Sequence, residues 1–231
     1  MEQKIDAPVS TPSDEPAWKQ RAIERSTQAA KRRAEQRVDG FLHAAQAIMT
    51  RKGTTDFTVQ EVVDRAGQSL RSFYQHFDSK HELLLALFEN AMRSSADQIR
   101  AAASDHTDPL EQVKVATQLL FELSRPDPRT KHPLFTDFAP RLLLSHSAEV
   151  KIALAPLLTL FEELMTQAEA AGHLLPDFKP RRAAALTMQT AIFIAHSNSG
   201  SEEEGGHPIT AAEAWKFCAS GITFPSRERN S

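Results

Sequence analysis

Two helix-start signals in the N-terminal half restrict the fold of this chain more than any other feature of its sequence. Thr58-Val-Gln-Glu61 and Ser79-Lys-His-Glu82 are capping boxes, in which a hydroxyl and a carboxylate satisfy the free backbone donors of a new helix. Between them, Ala66-Gly67 ends the first helix, which is predicted from Val59 to about Arg65. A second short helix is predicted from about Ser69 to His76.

These two short helices cannot be stable alone, because each has only about two turns. They persist only by docking on neighbouring helices through apolar side chains: Val59, Val62, Val63, Phe73 and Phe77. The preceding segment supplies one apolar stripe at spacings of three and four: Val38, Phe41, Leu42, Ala45, Ile48 and Met49. The sequence therefore predicts a compact helical unit whose second short helix turns its polar face outward.

That polar face has the side chains that read base pairs. Arginine can bridge O6 and N7 of guanine, and glutamine can pair with adenine. The helix starts at Thr58 and Ser79, together with Lys80 and Tyr74, can hold phosphates. A helix-turn-helix DNA-binding unit is therefore predicted. Its expected DNA-facing residues are Thr58, Gln68, Ser69, Leu70, Arg71, Ser72, Tyr74, His76 and Lys80.

The same residues resemble the DNA-binding domain of the TetR family of transcriptional regulators. The string from Ser72 to Leu84, SFYQHFDSKHELL, is similar to the family's FYxHFxSKxxLL. The family's Thr-x-x-x-Val and Ala-Gly-x-Ser are also matched, at Thr58, Val62, Ala66, Gly67 and Ser69. The close match covers about Val38 to Leu87. One departure is Leu70-Arg71, where the family has small or basic residues; we interpret Leu70 as a contact to a thymine methyl and Arg71 as a base or phosphate contact.

The resemblance implies an all-α protein with an N-terminal three-helix DNA-binding domain and a C-terminal helical domain for ligand binding and dimerisation. It implies a homodimer on a palindromic operator, with the last two helices of each subunit paired in a four-helix bundle. Most members of the family repress, and a small molecule releases them from DNA. The expected partners are therefore double-stranded operator DNA, a small effector and a second copy of the chain.

The charge distribution and the residues that begin and end helices predict the same domain organisation. Residues 17–81 carry 12 Lys and Arg against 7 Asp and Glu, whereas residues 82–231 carry 14 against 19, so only the N-terminal end is suited to a polyanion. We predict a disordered or partly helical arm at 1–26, the DNA-binding domain at 27–80, the helical body at 81–222 and a tail at 223–231. The basic cluster Lys31–Arg33 is either a solvated helix face or a contact to the DNA backbone, and both interpretations stay open.

Helices are predicted in the body at Pro109–Ser124, 134–145, 147–171 with a proline inside, 180–197, and after the Thr210 cap, with a flexible loop at 198–207. The apolar residues of this region are expected first of all to form a helical core. Some of them are also the expected lining of a pocket for an apolar effector: Phe121, Phe135, Phe138, Leu142, Phe161, Met165, Met188 and Ile192. The expected dimer interface is formed by Ala184, Met188, Ala191, Ala195, Trp215 and Phe217.

Other functional classes find less support in the sequence. No phosphate-binding loop, nucleophile elbow or HExxH occurs, so we expect no enzyme, no cofactor and no metal site. The polar N-terminus and the lack of a long apolar run predict a cytoplasmic protein that does not enter a membrane. Two alternatives stay open: an architectural DNA-binding protein without ligand control, and an all-helical enzyme or carrier whose motif match is accidental.

Overall fold

The computed structural model describes residues 16–125, 138, 147–197 and 208–224. By compactness the chain divides after Gly40 into two units. The helices in the described ranges are α1 (Ala17–Lys52), α2 (Val59–Ala66), α3 (Leu70–Tyr74), α4 (Lys80–Ser104), α5 (Pro109–Ser124), α6 (Ser147–Ala170), α7 (Pro180–Ser197) and α8 (Ala211–Ile222). The predicted all-α class is confirmed.

Pairing of the β type is confined, in the described ranges, to one isolated antiparallel bridge between Leu174 and Thr223. There the amide of Leu175 donates to the carbonyl of Ile222 over 2.9 Å. This contact joins the turn before α7 to the end of α8. Among the described residues, no helix is long and apolar enough to cross a bilayer.

Helix α1 begins much earlier than its apolar stripe. The stripe predicts a helix from Val38, but α1 begins at Ala17. The extra turns are rich in Ala, Arg, Glu, Gln and Lys, which have high intrinsic helix propensity, although residues 16–33 are all exposed. Backbone propensity therefore lengthens this helix without burial of apolar surface.

Helices α4 to α8 pack into one helical body. Helix α5 contacts α4, α6, α7 and α8, and α6 also lies against α4 and α7. The largest side chains enclosed in this body are Ile99, Leu120, Phe121, Leu157, Leu160, Phe161 and Met165. The predicted bounds of α5 and α7 agree with the structure, and the Thr210–Glu213 capping box at the start of α8 is present.

The residues predicted for the effector pocket are mostly core residues of the body. Phe121, Phe161 and Met165 are completely buried, and Met188 and Phe138 are nearly so. Ile192 is partly exposed. Phe135 and Leu142 lie outside the described residues, as do the predicted helix at 134–145 and the predicted loop at 198–207.

The predicted dimer interface needs a correction. Ala184, Met188, Ala191 and Ala195 are at most 3% exposed, because this side of α7 packs in the core of its own subunit. They are therefore not presented to a partner. Phe217 is exposed on α8, as expected, and Trp215 is partly exposed. The large apolar residues exposed on α7 are instead Leu186 and Phe193.

Candidate nucleic-acid interface

The start of α2 is fixed by a complete capping box. The Thr58 hydroxyl accepts from the Glu61 amide, while the Glu61 carboxylate accepts from the Thr58 amide at 2.8 Å. Lys52, at the end of α1, places its ammonium 2.7 Å from the same carboxylate. The bond from Lys52 and those from Thr58 lower the pKa of Glu61 to about 2. Glu61 therefore links the end of α1 to the start of α2.

The turn between α2 and α3 depends on Gly67. This residue has φ 63° and ψ 32°, in the left-handed region. An added Cβ would have open space, so the backbone conformation, and not crowding, is what favours glycine here. Ser69 then caps α3 by accepting a hydrogen bond from the Ser72 amide at 3.1 Å.

An aromatic cluster holds α3 against α1. Phe73 lies edge-on to Phe41 of α1, with ring centres 5.4 Å apart, and 5.5 Å from Phe77. Phe41 and Phe73 have no exposed surface, and Phe77 has 5%. As predicted, Phe73 and Phe77 are core residues. Since large buried rings dominate the packing energy of so small a unit, this cluster sets the orientation of α3.

The opposite face of α3 is open. Leu70 is 41% exposed and Tyr74 is 56% exposed, and Arg71 lies between them on the surface. The Tyr74 ring leans edge-on against Phe73 at 5.3 Å, which limits its motion. The Ser72 hydroxyl donates to the side-chain oxygen of Gln68 at 3.2 Å, and this bond orients the Gln68 amide. These residues form an exposed polar surface on a rigid support.

Two residues expected at the DNA, Thr58 and Lys80, also have contacts within the chain, and a third, His76, is partly buried. The Thr58 hydroxyl is engaged with Glu61 in the capping box. The Nε2 atom of His76 is buried and has no hydrogen-bond partner among the described residues, so this atom is not presented to DNA. The Lys80 ammonium donates to the carbonyl oxygens of Phe57 at 3.0 Å and Thr55 at 3.4 Å. Sequence patterns identify such residue types, but not the direction of their side chains.

Helix α3 is also shorter than the predicted range from Ser69 to His76. It ends at Tyr74, and Gln75 is its C-cap. The amides of His76 and Phe77 both donate to the carbonyl of Phe73 at 2.9 Å. This tight turn carries Phe77 into the aromatic cluster, so tertiary packing ends the helix early.

The second predicted capping box is only half formed. The Ser79 hydroxyl accepts from the Glu82 amide at 3.2 Å, but the Glu82 carboxylate accepts from the amide of Asp78. Helix α4 still begins at Lys80. It connects α3 to the other helices of the helical body.

His81 is a residue of this region that sequence reasoning missed. Its Nε2 lies 2.9 Å from a carboxylate oxygen of Glu149, on α6, and its ring lies 5.5 Å from that of Phe138. The first turn of α4 is therefore tied to the helical body by a polar contact. The two residues are 68 positions apart, and no local pattern indicates such a pair.

Comparison with known proteins agrees with this geometry. Residues 41–87 match the model of the family described as bacterial regulatory proteins, tetR family. The chain is 29% identical over 114 residues to the HTH-type transcriptional activator FasR of Mycolicibacterium smegmatis. This match covers 49% of the present chain and 51% of FasR. The chain thus spans about half the length of the curated relatives it matches.

Solved structures share the fold over more of the chain. The fatty acid degradation regulator FadR of Bacillus halodurans superposes with a TM-score of 0.59 at 21% identity, covering 80% of this chain and 95% of that one. FadR of Bacillus subtilis, solved in complex with stearoyl-CoA, gives 0.58 at 16% identity, covering 81% and 98%. At these identities the likeness concerns the fold. The match to the tetR family model therefore concerns residues 41–87, and over the rest of the chain the likeness to these regulators is one of fold.

Proposed function

We propose that this protein is a transcriptional regulator that reads operator DNA with the exposed face of α3 and releases it when a small effector binds the helical body. The observation that carries the proposal is the exposed group Leu70, Arg71 and Tyr74 on a helix whose other side is anchored by Phe73. A helix supported in this way can enter the major groove without losing its own core contacts.

Each exposed residue has a distinct role in this proposal. Arg71 donates to O6 and N7 of a guanine, and Leu70 contacts the methyl group of a thymine. Tyr74 donates its hydroxyl to a phosphate, which positions the helix without reading sequence. Gln68 and Ser72, already joined by a hydrogen bond, contact the neighbouring base pair or phosphate. Ser69 lies at the edge of this surface as the cap of α3.

The regulator is proposed to act as a homodimer, because one recognition helix reads too few base pairs for useful specificity. Helices α7 and α8 contact each other and expose large apolar residues. Phe193 is 72% exposed, Phe217 is 68% exposed and Leu186 is 49% exposed. Exposed apolar side chains of this size are more stable in a protein interface than in water. We therefore place the subunit contact on these three residues, with Trp215 beside them.

For the effector we propose an acyl thioester of coenzyme A. Support comes from the shared fold with Bacillus subtilis FadR, which was solved with stearoyl-CoA, and from the apolar interior of the body. The proposed lining of the acyl site consists of Phe121, Phe138, Phe161, Met165, Met188 and Ile192. Binding must favour the arrangement that does not fit DNA, since a ligand shifts an equilibrium only by its differential affinity. We propose that the protein represses when no effector is bound.

Operator binding is the first test. The wild-type protein should select a palindromic site from DNA upstream of its own gene. Arg71→Ala should lose preference at one position of each half-site, at a cost of roughly 1–3 kcal/mol, whereas Arg93→Ala, on an exposed position of α4, should bind normally. Absence of sequence preference in the wild-type protein would favour an architectural DNA-binding role and contradict the proposal.

The effector is tested by titration of the protein–operator complex. Stearoyl-CoA should weaken operator binding by about tenfold or more, within the usual range of coupling between two sites, and free coenzyme A should not. A reporter gene under the operator should be silent until the effector is supplied. Equal operator affinity with and without acyl-CoA species of several chain lengths would remove this effector class.

A further inference from the structure

The part of α1 that precedes Phe41, here termed the arm helix (residues 17–40), buries very little apolar surface. Residues 16–33 are exposed without exception, Trp18 and Ile23 among them. A helix that buries so little surface gains little from its own chain and is marginally stable alone. Seven Lys and Arg against three Asp and Glu give the arm helix a net charge of +4, although the whole chain carries −3.

The arginines of the arm helix are arranged along one side. Arg21, Arg25 and Arg32 are separated by four and seven residues, which places them on one face. Trp18, 65% exposed, precedes Arg21 by three residues on the same face. With a rise of about 1.5 Å per residue, the three arginines span roughly 16 Å of the helix axis. This length is enough to contact more than one phosphate.

These three arginines carry no ion pair within the described part of the chain. Arg25 donates its Nε to the backbone carbonyl of Arg21 at 3.1 Å, which leaves the rest of its guanidinium exposed. Lys31, by contrast, is paired with Glu35 at 3.9 Å. The arginine face therefore carries uncompensated positive charge, which attracts a polyanion.

We propose that the arm helix is a second DNA-binding element, which contacts the phosphate backbone through Arg21, Arg25 and Arg32 and adds affinity without sequence selection. It rests on the proposed function, because DNA bound by the helix-turn-helix unit is the DNA that reaches this part of the chain. The arm helix and residues 41–52 belong to one continuous helix, α1, and residues 41–87 match the family model, so binding of DNA by that segment supplies DNA at high local concentration. Guanidinium groups suit phosphate oxygens through paired donors.

The test measures the salt dependence of DNA binding by the full-length protein. Each phosphate neutralised on duplex DNA contributes about 0.9 to the slope of log K against log salt. The variant R21Q/R25Q/R32Q should therefore lower the slope by about 2.7, on operator and on unrelated DNA alike, and keep the ratio of the two affinities. The control R93Q/K151Q/R182Q removes three exposed charges from the helical body and should leave the slope unchanged.

Trp18 gives a second measurement. Its emission should change on addition of operator DNA in the wild-type protein, and that component should be missing in Trp18→Phe. If R21Q/R25Q/R32Q has the wild-type salt slope, the inference is overturned. It is also overturned if the three substitutions weaken binding to anionic vesicles but leave DNA binding unchanged. If the wild-type protein lacks any operator preference, the proposed function fails. If it selects the operator while the triple variant binds with an unchanged slope, only the arm inference fails.

Discussion

The ammonium nitrogen of Lys80 lies 3.0 Å from the backbone carbonyl oxygen of Phe57, and the same nitrogen stands 5.2 Å from the centre of the Phe57 ring. It also reaches the carbonyl of Thr55. The first residue of α4 therefore fastens the loop that leads into α2. Phe57 is 2% exposed, so this contact lies against the core of the DNA-binding domain.

Lys80→Met should therefore reduce stability more than it changes the electrostatics of DNA binding. Methionine keeps an apolar stem but leaves both loop carbonyls without their charged donor, at a cost of about 1–2 kcal/mol. Urea denaturation should show the loss, and the salt slope of operator binding should stay at the wild-type value. Lys151→Met, on an exposed position of α6, is the matched control. If Lys80→Met has the wild-type urea midpoint and its salt slope is lower by about one, Lys80 binds the phosphate backbone.

Glu61 makes the DNA-binding domain sensitive to acid. Its folded pKa is lowered from 4.5 to about 2 by Lys52 and Thr58. A depressed carboxyl pKa contributes stability that is complete above the unfolded value and is lost as pH falls from about 4.5 to about 2. Glu61→Gln should remove this part of the pH dependence, because glutamine does not titrate. Denaturation at several pH values across this window gives the free energy of unfolding of both proteins. The two values should converge at the acid end, and a difference that stays constant with pH contradicts the assignment.

Much of the DNA-binding domain could be predicted because its signals are local. The Thr58 capping box, the Gly67 turn and the burial of Phe73 all follow from residue types at fixed spacing, and the structure confirms each of them. Hydroxyl, carboxylate and glycine act on backbone groups within a few residues. The start of α8 at Thr210 was predictable for the same reason.

Contacts between residues that are distant in the sequence could not be predicted. The direction of Lys80 depends on a loop 23 residues earlier, and His81 meets Glu149 only after the body has folded. The alanines of α7 illustrate a third limit. Small residues can pack against a partner subunit or within their own, and sequence spacing is the same in both cases. The structure places Ala184 and Ala191 within their own subunit.

The subunit contact can be tested by charge on the exposed apolar face of α7 and α8. Phe193→Glu combined with Phe217→Glu should convert a dimer into a monomer, because two buried carboxylates in each subunit oppose association. Light scattering should report the change of mass, and operator affinity should fall with it. Ile152→Glu, at a 64% exposed residue of α6, is the control and should stay dimeric. A double variant with the wild-type mass would exclude this face.

Two buried threonines of the body should respond oppositely to the same substitution. Thr187, on α7, is 2% exposed, and its buried hydroxyl oxygen has no hydrogen-bond partner in the part of the chain that the structure describes. Thr117, on α5, has no exposed surface, and its hydroxyl donates to the carbonyl of Val113 at 2.8 Å. Valine has nearly the shape of threonine but carries no polar group, so each substitution changes polarity and leaves the packing in place.

Thr187→Val should stabilise the protein by about 1 kcal/mol, because it removes a buried hydroxyl whose desolvation is not compensated. Thr117→Val should destabilise it by about 0.5–1.5 kcal/mol, because a hydrogen bond is lost. Urea denaturation at constant protein concentration measures both, and the slopes of the transitions should match. If Thr187→Val instead lowers stability as Thr117→Val does, the Thr187 hydroxyl is hydrogen-bonded in solution. Opposite signs in the two variants identify Thr187 as a buried polar group that this fold tolerates at a cost.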